Sequence, residues 1–398
     1  MEMTLTEEAK AQSSRIKKME QSQPLWKIIL SQFLEHKMAV VGTLFILFFI
    51  VIALSAELIS WGVGIDPSTQ NVGARFLQPF SYSEQSSSDK ENAMEQWIQK
   101  NPDIAKQLQT EVVSKGYITA SEDDSLYNLA QMTPEESHPI LQKLTNAPAS
   151  FKHLFKDFRT FHLFGTDEVG RDVFIRLVYG ARVSMGVGIL ATLMSAIIGL
   201  LVGSLAGYYG GWVDTLLMRI TDALLSLPLI PVMIVIAAVD LQKVPILNHF
   251  VGSGYESIIK MVVILCLFSW MTVARLVRGS ILSLKEREFI LAARTLGCKD
   301  STIIVRHLFP NVIGPMLVAL TLGVGSSIIF EAALSFLGLG IMPPTPSWGN
   351  MLNNALELMY KNVWLIILPG TMILITVVSF NFIGDGLQSA VDPKSIRR

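Results

Sequence analysis

Between Arg182 and Asp214 the chain runs for 31 residues, Val183 to Val213, without a charged side chain. No surface helix tolerates that. The run is long enough to cross about 30 Å of hydrocarbon, where a backbone has to satisfy its hydrogen bonds internally, and its Gly and Ser content allows close helix contacts. Five further runs follow the same rule: Met38 to Ala56, Ala223 to Val239, Met261 to Ala274, Asn311 to Phe330 with its continuation to Leu339, and Asn362 to Gly384. Met261 to Ala274 has only 14 residues. It reaches span length if Lys260 and Arg275 lay their stems along it and send their charges outward. The run from Ala223 is extended by the preceding turn, which carries Arg219 and Asp222. An all-α polytopic membrane protein with six transmembrane helices is expected. Composition agrees, with 16% charged residues against roughly 25% in soluble chains.

Lys and Arg accumulate on the cytoplasmic side of short flanking segments. Six precede the first span, seven lie between Arg275 and Arg306, and Lys394, Arg397 and Arg398 close the chain. With six alternating spans all three groups share one side, so both termini are expected in the cytoplasm. The first apolar run is too long and too far in for a cleaved leader of the usual kind, so the N-terminus is expected to persist. A net charge of −1 excludes nucleic acid as a main partner. Cys266 and Cys298 lack metal or disulfide spacing. The expected organisation is a cytoplasmic segment 1–37, span 38–60, an extracytoplasmic insert 61–160, a transmembrane core 161–390 that includes the stretch 279–311, and a cytoplasmic tail 391–398. Within the first segment, Pro24 to Glu35 reads either as a helix in the membrane interface or as an extension of the first span. The insert holds 13 acidic and 9 basic residues. Glu91 to Lys115 reads as helix there, and Ser81 to Ser88 and Ala147 to Ser150 as loop.

The stretch 279–311 carries the mechanism. Its first half favours helix and closes at Gly297, which tolerates a left-handed C-cap. Asp300 or Ser301 can cap a second short helix that Pro310 ends. Ala292 and Ala293 let another surface approach the backbone, and Glu288, Arg294 and Arg306 supply polar contacts. Two short helices with a tight bend make a docking knob.

The spacing of Ala292-Ala293, Gly297 and Pro310 resembles the EAA motif of permease subunits of bacterial ABC importers. Phe164-Gly-Thr-Asp-Glu-Val-Gly-Arg-Asp172, Leu177-Val-Tyr-Gly-Ala-Arg182, Gly207-Tyr-Tyr-Gly-Gly-Trp-Val-Asp214, Met218-Arg-Ile-Thr-Asp222, Glu331-Ala-Ala-Leu-Ser-Phe-Leu-Gly-Leu-Gly340, Ser347-Trp-Gly349 and Phe380-Asn-Phe-Ile-Gly-Asp-Gly386 with Asp392-Pro393 extend the likeness. They resemble the C-type permease of dipeptide and oligopeptide importers, from about residue 24 to 60 and from 160 onward. The chain departs from the motif where Leu291 replaces its name-giving Glu and where His307 and Phe309 replace aliphatic residues. Its 62–160 region is longer than the family's.

The resemblance implies a type I ABC importer core forming half of a channel. It implies a second homologous permease, two ATPase subunits and an extracytoplasmic solute-binding protein as partners, beside the lipid bilayer. Glu288, Ala292, Ala293, Arg294, Gly297, Arg306, His307, Pro310 and Asn311 would then couple to the ATPases. ATP and Mg would belong to those partners, with no cofactor and no catalytic residue on this chain. The phosphate-cradling pattern G-x-x-x-x-G-K-[ST] is absent from the sequence. Import of nickel, glutathione or another peptide-like solute by the same machinery is the alternative reading. A membrane enzyme or receptor acting through the insert is the alternative from a different class.

Glu331 lies deep in an apolar run, where an ionisable group lines a pathway or is held by hydrogen bonds. Both readings stand. Arg219 and Asp222, three apart, are expected to form a structural ion pair. His162, Asp167, Glu168 and Asp172 are read as a loop cluster, not a metal or hydrolytic site. Trp348 and Trp364 are expected at interfacial depth, beside a stiff outer loop from Pro343 to Pro346.

Overall fold

The computed structural model describes residues 25–84, 87–118, 121, 123–144, 146–157, 159–239 and 255–391. The basic tail from Lys394, the segment before residue 25 and the loop 240–254 lie outside them. The chain divides into two compact units. One comprises residues up to Leu54, Gly180–Asn353 and the chain from Leu368; the other comprises Ser55–Tyr179 and Asn354–Ile367.

The first unit holds the long apolar helices. Helix α1 (Leu25–Glu35) is separated by His36 from α2 (Lys37–Leu54). Helix α2 buries Ala39, Gly42, Ile46, Phe49 and Ala53, one stripe at three- and four-residue spacing. Numbering past the second unit's elements, α9 (Val173–Tyr209) begins ten residues before the uncharged run and ends at Gly210. Its Gly199, Gly203 and Gly207 stand one turn apart against α12 (Glu256–Leu284). A Cβ there would lie 2.8 Å from the Trp270 carbonyl, 2.5 Å from that of Ala274 and 3.1 Å from that of Arg278. Small residues on one face let these two backbones touch, the association mode available in lipid.

Two expectations about the spans are corrected. The third is broken: α10 (Gly211–Leu225) and α11 (Leu229–Ala237) meet at 83°. Pro228, which lacks an N–H and disfavours helix at the residue before it, sits at the corner. The fourth, α12, is 29 residues long, twice its uncharged run. It absorbs Arg275 and Arg278 because carboxylates on α10 meet them. Among the described residues, five helices are long and apolar enough to cross a membrane, or six if the bent pair counts as one span.

The second unit is built differently. Helix α3 (Ala56–Val63) leads to a two-stranded antiparallel sheet of β1 (Ser81–Glu84) and β2 (Arg159–His162), with Tyr82 opposite Phe161. Between the strands lie α4 (Ser87–Lys100), α5 (Pro102–Ser114), α6 (Ser125–Gln131), α7 (Pro134–Lys143) and α8 (Ala149–Asp157). They close over a core of their own: Met94, Trp97, Leu108, Leu126, Leu129, Leu144 and Phe151. Three local expectations change. A strand occupies Ser81–Glu84, α8 starts inside the expected loop at Ala149, and the expected helix from Glu91 splits at Asn101 because Pro102 disfavours helical backbone at its predecessor. This unit exceeds the polar insert, taking in residues to Tyr179 and the later helix α15 (Ala355–Lys361).

Candidate functional site

The 279–311 segment is an elbow at the end of α12. Arg287 caps α13 (Glu288–Thr295) with its backbone, accepting from the Ile290 and Leu291 amides. Glu288 in the first turn and Arg294 in the last suit the helix dipole. Gly297, at φ +77°, closes a Schellman motif: its own N–H donates to the Arg294 carbonyl at 2.9 Å and the Cys298 N–H to that of Ala293 at 3.1 Å. The chain re-enters helix at Asp300.

Here the expectation of a second short helix ended by Pro310 is corrected. Helix α14 runs unbroken from Asp300 to Phe336, through a π-helical stretch at Ile303–Leu308. Pro310 sits in the first turn beyond that stretch. The Phe309 N–H reaches back five residues to the Ile304 carbonyl. The Asn311 side-chain amide donates 2.7 Å to the His307 carbonyl, its own i−4 partner, just beyond the proline. The knob is one short helix plus the root of a span.

What seats α13 is narrow. Ile290 and Ala293 enter a buried cluster with Val277 and Ile281 of α12, Ile303, Leu308 and Val312 of α14, and Tyr208 of α9. The rest of α13 faces outward: Glu288, Ala292 and Arg294 are exposed, as are Arg306, Pro310 and Asn311, and His307 is half-buried. Phe289 and Leu291 are also exposed, and Leu296 keeps 83% of its surface open. No atom lies within 4 Å of the place a Gly297 Cβ would occupy.

Sequence reasoning missed the clasp behind this helix. The Tyr208 hydroxyl donates 2.5 Å to Asp300, and the Arg294 guanidinium lies 5.1 Å over the Tyr208 ring. Lys285 reaches the Gly207 carbonyl at 3.3 Å. Tyr208, Tyr209, Lys285, Glu286, Leu291, Arg294 and Asp300 line a recess of about 600 Å³. Gly207-Tyr-Tyr-Gly-Gly was visible as a motif, but no spacing rule links residue 208 to residue 300.

The expected Arg219–Asp222 pair is replaced. Asp222 accepts from Nε of Arg275 at 3.0 Å and again from its Nη2, and Arg219 makes no ion pair among the described residues. One turn along one helix is a weaker arrangement than a guanidinium fork from the neighbouring helix. Arg278 pairs with Asp214 through both carboxylate oxygens, at 2.5 and 2.6 Å, where Arg275 uses one oxygen of Asp222.

Glu331 is fully buried on α14. Ser184 donates to one carboxyl oxygen at 2.9 Å and Ser335 to the other at 2.8 Å. Each serine oxygen in turn accepts a loop amide, from Trp348 and Ile341 respectively, both at 3.1 Å. The carboxyl group thus ties α9, α14 and the 341–348 loop together. Trp348 is correspondingly buried, against Gly180 and the ring of Phe49, not at the interface as expected.

A family model described as "binding-protein-dependent transport system inner membrane component" matches residues 199–397, half of the chain. The chain belongs to this family. It is a transport permease of a bacterial inner membrane and not itself an ATPase. A second model, the N-terminal transmembrane domain of oligopeptide transport permease C, matches residues 24–92. The dipeptide transport system permease of Alkalihalophilus pseudofirmus is 41% identical over 58% of this chain and 72% of that protein. The oligopeptide transport system permease of Bacillus subtilis is 39% identical over the same shares. The glutathione transport system permease of Escherichia coli O157:H7 is 44% identical, again over 58% and 72%. Helices α5 to α8 of this permease fall in neither family model.

The loop cluster of the second unit is packing chemistry in this permease. His162 lies between Ser83 at 2.8 Å and Asp172 at 2.6 Å, all buried. Asp172 also caps α9 through the Ile175 N–H at 2.8 Å. Asp167 receives the Arg171 side chain at 2.7 Å and the amides of Val169 and Arg171 at 3.0 Å. Glu168 is half-buried beside them.

Proposed function

We propose that this permease forms half of the translocation pathway of an ATP-driven, type I importer of dipeptides and oligopeptides. Six spans with both termini in the cytoplasm would put α13 on the cytoplasmic face and the α4–α8 insert outside. A second homologous permease completes the pathway, two ATPase subunits receive the elbows, and an extracytoplasmic binding protein delivers the peptide. The names of the 41% and 39% identical relatives support the substrate class. The observation that carries the coupling role is α13 itself, held by two buried side chains while Phe289, Leu291 and Leu296 stay bare. Apolar side chains left open beside a rigid seat are what a partner covers.

In this reading, closure of the ATPase pair displaces α13, and its fixed contacts pass the displacement on. Ile290 and Ala293 press on α12 and α14, and the Tyr208–Asp300 clasp engages α9. The helices then tip between inward- and outward-facing arrangements. Glu288, Ala292, Arg294, Arg306 and His307 meet the ATPase, and Gly297 sets the bend. Glutathione, itself a peptide, is the second reading, favoured by the 44% identical relative.

The test is co-purification from native membranes with an ATPase assay, followed by uptake of labelled dipeptide and glutathione. ATPase subunits recovered with the wild type and lost with Gly297→Trp support the reading. Undiminished association and uptake with that variant would overturn the docking role.

A further inference from the structure

Helix α15 is unusual in what it leaves uncovered. Leu356, Met359 and Tyr360 stand at i, i+3 and i+4 on one face and keep 75%, 48% and 86% of their surfaces open. The opposite side is anchored: Leu358 is buried at 5% exposure and the Lys361 ammonium lies 4.7 Å over the Phe76 ring. Helix α3, in the same unit, has the same character. It exposes Leu58 at 70%, Trp61 at 84% and Val63 at 49%.

The chain itself limits what can cover them. Helix α3 begins two residues after α2, a spanning helix, ends at Leu54. Helix α15 ends three residues before the spanning helix α16 (Trp364–Val391) begins. Fully extended, three residues reach about 10 Å, no more than the depth of one headgroup layer, about 5–8 Å, plus a helix radius of about 5–6 Å. Both helices are therefore tethered within about 10 Å of the end of a spanning helix. Their open side chains are the types that settle there, with Trp and Tyr suited to the headgroup level and Leu and Met to the acyl boundary. Glu57 and Glu357 are exposed to meet water.

We infer that α3 and α15 are interfacial helices whose open faces, Leu58 with Trp61 and Leu356 with Met359 and Tyr360, bind phospholipid at the membrane boundary. The inference rests on the spanning helices and not on the transported solute. It survives if the substrate is wrong.

Nitroxide labels at positions 58, 61, 356, 359 and 360, one per variant in a Cys298→Ser background, test it in the assembly reconstituted into phosphatidylcholine–phosphatidylglycerol vesicles. Collisions with dissolved oxygen and with a water-soluble nickel chelate are compared. At all five positions oxygen should outweigh the nickel complex by at least several-fold, with the order reversed for a label at position 357. Nickel access equal to that at 357 would mean open water, and shielding from both reagents would mean a covering protein such as a second permease. Either result overturns the inference. Because α3 and α15 are labelled in separate variants, a fold defect in one leaves the other to decide.

Discussion

Gly170 and Gly297 have nearly the same backbone, φ +78° and +77°, in opposite surroundings. A Cβ on Gly170 would lie 1.8 Å from the Asn71 carbonyl oxygen, whereas a Cβ on Gly297 would meet nothing within 4 Å. The first turn is closed from inside by Asp167, Arg171 and a neighbouring backbone. The second ends a helix and presents itself outward. One sequence signal, a glycine in a left-handed turn, therefore closes a packed turn in one region and ends an outward-facing helix in the other, and only the neighbours tell them apart.

That contrast can be broken by substitution. Gly170→Ala combines a forbidden contact with an unfavourable φ and should cost about 3 kcal/mol or more. The expected readout is loss of protein from the membrane and a collapsed melting transition in detergent. Glu331→Ala strands two buried serine hydroxyls that each hold a loop amide, and should cost roughly 2–3 kcal/mol. Glu331→Gln, which keeps an acceptor, should recover part of the melting temperature; equal losses for both would show that the hydrogen bonds to Ser184 and Ser335 contribute little.

Gly297→Ala should cost only about 1–2 kcal/mol, the left-handed penalty alone. A bulky residue there should lower ATPase recovery in a pull-down far more than it lowers thermal stability. A parallel fall in both would erase the distinction between the two glycines. Tyr208→Phe keeps the ring beneath Arg294 and removes one hydrogen bond, about 1 kcal/mol. The expected change is fewer peptides carried per ATP hydrolysed, measured in proteoliposomes. Smallest of all, Arg219→Ala should shift stability by less than about 0.5 kcal/mol, and Asp222→Ala should cost more because it strands Arg275. The reverse order would restore the pair within one helix.

Much of this was legible from the chain. Apolar runs located the spans because lipid admits few charges, and Gly297 marked the elbow because few other residues end a helix that way. The errors fall where a distant residue intervenes. Helix α12 exceeds its 14-residue run because Asp214 and Asp222 neutralise Arg278 and Arg275. Pro310 fails to stop α14 because it falls in the first turn after a π-helical stretch, where its missing N–H and ring are tolerated. Trp348, read as interfacial, is instead buried against Gly180 and Phe49.

Local chemistry determined which segments enter a membrane, where the elbow bends and which family motifs are present, since hydropathy and backbone preference act within a few residues. The fold alone decided which charges pair, that Glu331 is held between two serines, and that Phe289, Leu291 and Leu296 stay uncovered while Ile290 and Ala293 do not. Those outcomes depend on side chains that sequence separates by as many as 147 residues and packing brings within hydrogen-bond reach.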